Sequence, residues 1–383
     1  MKSRILFISL ALVLALSMAL VGCAVTPGAR TTITLDFGTF WPAIDFQVTL
    51  GHKEWAKVIS DRVMAETTNW TVKWNWYYSQ TPDTVRANVQ AGTWDVMTSG
   101  PGYYTGVYPL WEGPEYPADT AVLPRKNALT MSMAYQALWG NFTPLQAEFA
   151  AKEPNFQLMH YWATGPGYFL MTYGNNVTTL ADFPGKTIRA ANPASVLTIN
   201  ALNGTGYKCG MGEAYAKFQA GTIQGILCPT DTPKGFGLSA YVRSCTYAPF
   251  SYQFVFYKVM NKATYDGLPP EVRTIIDSVN AKYPEYYGQL RTWGEYDGLA
   301  FCRSSLGLNI SWFEYNLPVA NPTEYQNWLA AVYPGLITTW ISGNTTKAQL
   351  WGNFTAIQTY YTNTAPWSTW TYTSAPPTPP TFP

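Results

Sequence analysis

Leu180–Pro229 reads LADFPGKTIRAANPASVLTINALNGTGYKCGMGEAYAKFQAGTIQGILCP, and this stretch decides the fold class. Lys186–Ala191 is a short strand, halted at Asn192-Pro193 because the residue before a proline is pushed out of the helical region. Ala194–Leu202 then has helical spacing, with Val196, Ile199 and Leu202 inward and Gly204 as a stop. Arg189 is the cation that ends the apolar strand. It stands where a strand gives way to a helix, the place where open α/β sheets bind ligands. Its planar donor fork suits a carboxylate. From these residues alone, a structural salt bridge between strand and helix is an equal reading.

The spacing D-x-x-G-K-x-I-R at Asp182–Arg189, followed by G-E-x-Y-x-K-F-Q-x-G-x-I-x-G at Gly212–Gly225, resembles the solute-binding proteins of TRAP transporters, the DctP-like family. The resemblance covers about residues 31–313 and is strongest at 180–229. It implies a two-lobe, periplasmic binding protein-like α/β fold in which a long helix runs under both lobes. It also implies a receptor that closes on an organic acid and delivers it to membrane permease subunits, with Arg189 on the carboxylate. Glu213 and Tyr215 match the family's Glu-x-Tyr. Glu213 at a helix start fits a dipole-stabilised cap, so structural support is preferred for this pair.

Two departures from the family pattern bear on the ligand. Phe169 stands where some members carry a second Arg, and Cys228 stands where many have Asn before the closing proline. Both changes remove polarity from the expected pocket wall. With Trp41, Tyr78, Tyr103, Trp162, Asn192 and Tyr252 as further candidate ligand contacts, they suggest a hydrophobic or aromatic monocarboxylate. Ser99-Gly100-Pro101-Gly102-Tyr103 offers free N–H groups at a helix start, either a second anion cradle involving Ser99 or a plain cap.

Composition agrees with a ligand-binding α/β chain. Charged residues make up 12% and aromatics 16%, with 16 Trp and 27 Tyr; most such rings belong in a core, and a minority remain to line a site. The net charge of +1 gives no footprint for nucleic acid. No Gly-x-Ser-x-Gly elbow occurs and there are two histidines, His52 and His160, so neither a secreted hydrolase nor a zinc site is favoured. No enzyme activity, metal or cofactor is expected. A binding protein for an ABC importer shares the two-lobe plan and remains the alternative.

At the N-terminus, Lys2 and Arg4 precede the uncharged apolar run Ile5–Leu20, and Leu20-Val21-Gly22-Cys23 matches a lipobox. Residues 1–22 are therefore expected to be a signal peptide, with Cys23 lipidated and the protein anchored at the outer face of the cytoplasmic membrane. A transmembrane anchor is disfavoured, because the run is short for a span of ~20 residues. The other cysteines, Cys209, Cys228, Cys245 and Cys302, allow three pairings into two disulfides, or free thiols.

Alternation of strand and helix places lobe I at 31–163, with a return segment at about 250–290, and lobe II at 164–249. In lobe I, Thr31–Phe37, Trp70–Tyr78 and the start of Trp94–Pro101, which goes on into a turn and a helix start, read as strands of a largely parallel sheet. Phe250–Lys262 reads as a returning strand, and Pro269-Pro270 opens a long helix with Val272, Ile275, Ile276 and Val279 on one face. Residues 321–363 form a C-terminal helical region of unassigned role. The Pro- and Thr-rich tail 364–383 reads as extended or disordered.

Overall fold

The computed structural model describes residues 29–123, 127–305, 312–371 and 375–382, so the expected signal peptide and Cys23 lie outside the described residues. The first sheet starts with β1 (Thr31–Thr39), whose β-branched and aromatic residues pair in parallel with β2 (Trp70–Tyr77). Between them runs α1 (Lys53–Glu66), which buries Trp55, Ile59 and Val63 and leaves Val58 half-buried. Then α2 (Pro82–Gln90), capped by the Thr81 hydroxyl on the Thr84 N–H, leads to β3 (Val96–Ser99), which pairs with the other side of β1.

Two helices, α3 (Ala128–Asn141) and α4 (Thr143–Lys152), precede β4 (Phe156–Ala163). The chain then enters a second sheet through β5 (Tyr168–Thr172), β6 (Thr187–Ala190), α5 (Pro193–Ala201), β7 (Thr205–Lys208), α6 (Met211–Gln219), β8 (Gly225–Cys228), the single turn α7 (Thr232–Gly235) and β9 (Val242–Tyr247). It returns to the first sheet as β10 (Val255–Asn261), between β3 and β4 and antiparallel to both. The first sheet is thus parallel only across β2, β1 and β3, because β10 arrives from the opposite direction. The expected strand from Phe250 begins at Val255. The residues before it serve the crossing, where Thr164 donates its N–H to Phe254 O at 2.9 Å and Phe254 N–H reaches Thr164 Oγ1 at 3.1 Å.

After α8 (Lys262–Gly267), the 36-residue helix α9 (Pro270–Ser305) runs along both halves. Val272, Ile275, Ile276 and Val279 are buried, as the spacing requires. Glycines let this helix approach closely: a Cβ at Gly288 would meet the Leu129 backbone of α3, and one at Gly298 would meet the Asp231 backbone beside α7. The helix therefore spans two lobes of an α/β protein.

β11 (Phe313–Asn316) edges the second sheet beside β9 and is followed by α10 (Leu317–Ala320), α11 (Pro322–Val332), α12 (Gly335–Ile341) and α13 (Thr345–Asn363). Trp328 of α11 packs on Phe183 beside the second sheet, whereas Phe354 of α13 packs on Tyr135 of α3. The end of the tail lies on α9, with Phe382 between Arg62 and Lys282 and Lys282 Nζ donating to Thr381 O at 2.8 Å. Among the described residues, no helix is long and apolar enough to cross a membrane.

Candidate functional site

β6 carries Arg189 to the edge of the cleft between the sheets, between buried Ile188 and Ala190. Arg189 is itself 1% exposed. Its Nε donates to Cys209 O at 2.9 Å, its Nη2 has no hydrogen-bond partner, and no carboxylate forms an ion pair with it among the described residues. Burial opposes its charge. The neighbours that would favour it, Tyr103 first and then Cys209, Tyr252 and Cys228, are weak acids that hold its pKa above its ordinary value only as anions. Burial keeps them protonated, with Tyr103 and Cys228 each pushed up to about 12. A buried cation without an anion, with one donor idle, is a costly arrangement unless something else supplies the acceptor.

That guanidinium borders a small cavity of about 20 Å³. Phe40, Trp41 and Tyr103 reach it from the first lobe, and Arg189, Met211, Cys228, Asp231, Thr232 and Phe236 from the second. Tyr252 and Phe256 come from the returning chain, and Arg291 comes from α9. Phe40 stacks on Trp41 at 3.8 Å and faces Phe236 across the cleft at 6.5 Å, nearly parallel. Apart from the guanidinium end and the Asp231–Arg291 side, the walls are mostly aromatic rings, joined by Met211, Cys228, Pro229 and Thr232. Larger hollows exist, including one of about 460 Å³ under the tail and α9, but Arg189 does not border it.

Of the sequence candidates, Arg189, Trp41, Tyr103, Cys228 and Tyr252 meet at this cavity. Trp162 stands one layer behind, stacked on Tyr287 at 4.6 Å and 6.1 Å from Trp41. Asn192 caps α5, accepting from Ser195 N–H at 2.8 Å, and its Nδ2 donates to Glu115 Oε2 at 2.8 Å and Gln253 O at 3.1 Å. It orders the cleft rather than lining the cavity.

Three candidates lie elsewhere. Tyr78 stacks on Trp76 at 6.0 Å with Lys53 over its ring. Ser99 bonds the Tyr104 hydroxyl at 2.7 Å, and Pro101–Tyr103 is a single 3₁₀ turn with Gly100 at its N-cap and no side-chain cap bond, too short for an anion cradle. Phe169 packs on Phe183 and Trp328. Register gives the reason: Tyr168 pairs with Cys228 and Phe169 with Leu227, so Phe169 and Cys228 project to opposite faces and cannot share a wall.

Glu213 accepts from Gly210 N–H at 3.0 Å as a helix-start brace, and Tyr215 is exposed against Tyr241. All four described cysteines are free, buried thiols. No cluster of potential metal ligands occurs among the described residues.

Sequence reasoning missed Asp231 and Arg291. Arg291 Nη2 lies 3.0 Å from Asp231 Oδ1, and its Nε lies 3.6 Å from Glu295 Oε1. The site therefore does hold a second guanidinium, supplied by α9, but this one is already neutralised. Glu295 in turn accepts from Gly165 N–H at 2.7 Å on the crossing segment; burial pushes its carboxyl up to about 8 against the pull of Arg291.

Comparison with known proteins places the fold. The family described as bacterial extracellular solute-binding protein, family 7 (DctP) matches residues 79–316. A TRAP solute binding protein from Rhodoferax ferrireducens T118, in complex with copurified benzoate, superposes with a TM-score of 0.73 at 19% identity, covering 85% of this chain and 98% of that one. A TRAP periplasmic solute binding protein from Bordetella bronchiseptica with bound (R)- and (S)-mandelate gives 0.69 at 18%, covering 85% and 99%. Another from Xanthobacter autotrophicus Py2, with β-D-galacturonate, gives 0.64 at 17%, covering 85% and 99%.

Proposed function

The chain belongs to family 7 of the bacterial extracellular solute-binding proteins, and from that premise we propose that it is the receptor of a TRAP-type secondary transporter for a hydrophobic or aromatic monocarboxylate. The observation that carries this reading is Arg189, a buried guanidinium with an unpartnered Nη2 on the cleft cavity. A ligand carboxylate supplies the missing acceptor through charge-assisted hydrogen bonds. Arg291 already has Asp231, so of the described cations lining the cavity Arg189 is left for the ligand carboxylate.

The apolar body of the ligand lies among Phe40, Trp41, Phe236 and Phe256. Burial there gains ~25 cal/mol per Å² of apolar surface. Because the cavity is small, entry requires these rings and the lobes carrying them to part. Contacts from both lobes then favour closure, the differential interaction that a ligand-driven conformational change needs. Cys23 supplies the lipid anchor in this reading, and permease subunits take the ligand from the closed receptor. Of the relatives, those with benzoate and mandelate support the aromatic class, and the galacturonate-bound one sets the competing class.

Thermal-shift screening of an acid panel tests the proposal. Aromatic and long aliphatic monocarboxylates should give the largest saturable shifts. Succinate, malate or a uronate ranking first would overturn the ligand class and leave the receptor. Genes for a large and a small multispanning permease beside this one are expected; a gene for an ATPase there would favour an ABC importer.

A further inference from the structure

The apolar cavity contains one carboxylate that the binding of a simple aromatic acid does not use. Asp231 is 2% exposed and lines the wall together with Arg291. It is held firmly: Arg291 Nη2 grips Oδ1 at 3.0 Å, the Asp231 carbonyl starts the α7 turn by accepting from Lys234 and Gly235 N–H, and Gly298 of α9 lies against its backbone. Thr232, beside it on the wall, spends its hydroxyl on Pro229 O at 2.9 Å. Tyr103 and Tyr252 surround the guanidinium of Arg189 and belong to the carboxylate end of the site.

We propose that Asp231, positioned by Arg291, accepts a hydrogen bond from a donor on the ligand's body, so that the cleft selects hydroxyl-bearing aromatic monocarboxylates over unsubstituted ones. This rests on the functional reading above and deepens it. An ionised carboxylate is an acceptor-only group. It repels a second anion on the ligand, gains nothing from a C–H or a methoxy group, and bonds an O–H strongly in a dry site.

The charged and titratable surroundings agree. Arg291 and Glu295 face Asp231 from α9, and Asp45 faces it from the loop before α1. Burial raises all three carboxyls, Asp45 to about 7 and Glu295 to about 8, and Arg291 offsets part of the rise at Asp231, the carboxylate it holds at the shortest distance, 3.0 Å. The 3.0 Å ion pair with Arg291 and the place on the cavity wall single out Asp231 as the carboxylate that faces a ligand. Discrimination against a ligand that leaves such an acceptor unmatched is worth at least about tenfold in affinity.

Calorimetry of the full-length protein at pH 7 with benzoate, phenylacetate and their 3- and 4-hydroxy and 3- and 4-methoxy derivatives tests this. At least one hydroxy isomer should bind tenfold or more tighter than both its methoxy counterpart and the unsubstituted acid. In the Asp231→Asn/Arg291→Met double variant, which removes the pair without stranding a buried charge, that ratio should shrink to threefold or less. Equal affinities of the hydroxy, methoxy and unsubstituted acids in the wild-type protein would overturn the selectivity and leave the receptor reading intact. An undiminished ratio in the double variant would take the role from Asp231. Failure of every aromatic acid to bind, while another acid class binds, would overturn the functional reading and this inference with it. If the double variant does not fold, the wild-type ratios decide alone.

Discussion

Asn192, at the start of α5 on the second lobe, donates its Nδ2 to Glu115 Oε2 at 2.8 Å, on the segment that precedes α3 of the first lobe. The same side chain caps α5 and reaches Gln253 O on the returning chain, so one amide ties the helix after Arg189 to both the opposite lobe and the crossing. Asn192→Asp preserves the cap acceptor but turns the donor into an acceptor facing Glu115. At pH 7 this variant should lose about 1–3 kcal/mol of stability, the cost of breaking a buried charge-assisted bond. Asn192→Ser keeps a cap without the added charge and should lose less. Urea unfolding of the three proteins at pH 7 reads this directly. An Asp variant as stable as wild type would show that the bridge contributes nothing.

Arg189→Lys retains a charge but not the fork. Affinity for the best aromatic monocarboxylate should fall at least tenfold, with the melting temperature of the free protein unchanged or higher, since the buried guanidinium is without an acid partner. Calorimetry on the variant checks it, and wild-type affinity would remove Arg189 from the site.

The parts of the site legible in the sequence were those fixed by local pattern. A strand broken by Asn192-Pro193 places Arg189 near a strand end, and the spacing from Val272 to Val279 sets one face of α9. Arg291 was not legible, because nothing local in Gln289–Asp297 separates it from the other polar residues of the helix. Its burial comes from the glycines of α9, which let Phe46 and the Asp231 backbone close over it. The glycines at 288, 294 and 298 in one long helix were the available signal. Phe169 failed for another reason: its face is fixed by pairing with Leu227, a long-range register that a motif alignment does not contain.

Asp45 gives a pH dependence with a definite sign. Its Oδ1 accepts from Gln47 N–H at 2.7 Å, while Oδ2 is buried without a partner against Gly235 of α7. Burial, then the nearby Asp231, pushes its carboxyl up to about 7 from 3.8, and Gln47 N–H and Arg291 offset only part of this. The folded protein therefore holds a proton that the unfolded chain releases between these values, and stability falls as pH rises through that window. Asp45→Asn is neutral throughout. It should match wild type near pH 4 and exceed it by on the order of 2 kcal/mol above pH 8. Denaturant unfolding at both pH values tests this; a gap of the same size at pH 4 would show that the effect is packing, not titration.

Lys258 poses the sharpest stability question. It is fully buried on β10, with Nζ 3.1 Å from the Tyr287 hydroxyl and 3.7 Å from the Trp55 ring centroid, and no acid pairs with it among the described residues. Burial draws its pKa well below 10.5. His52 and His160 are also held well below 6.5, by burial first and then by Lys258. At neutral pH the unfolded chain carries a proton on Lys258 that the folded state disfavours, so this residue's contribution to stability improves as pH rises toward 10.5. Lys258→Met keeps the length of the side chain and the ring contacts but has no proton to lose. It should be more stable than wild type by about 1–4 kcal/mol at pH 7, with the advantage shrinking toward pH 10. Tyr287 remains satisfied, because its hydroxyl also meets His52 Nδ1 at 2.7 Å. Urea unfolding at pH 7 and 9.5 decides. A Met variant less stable at pH 7 would mean that the cage of Phe37, Trp55 and Tyr287 holds the ammonium ion by cation–π attraction strongly enough to outweigh its desolvation.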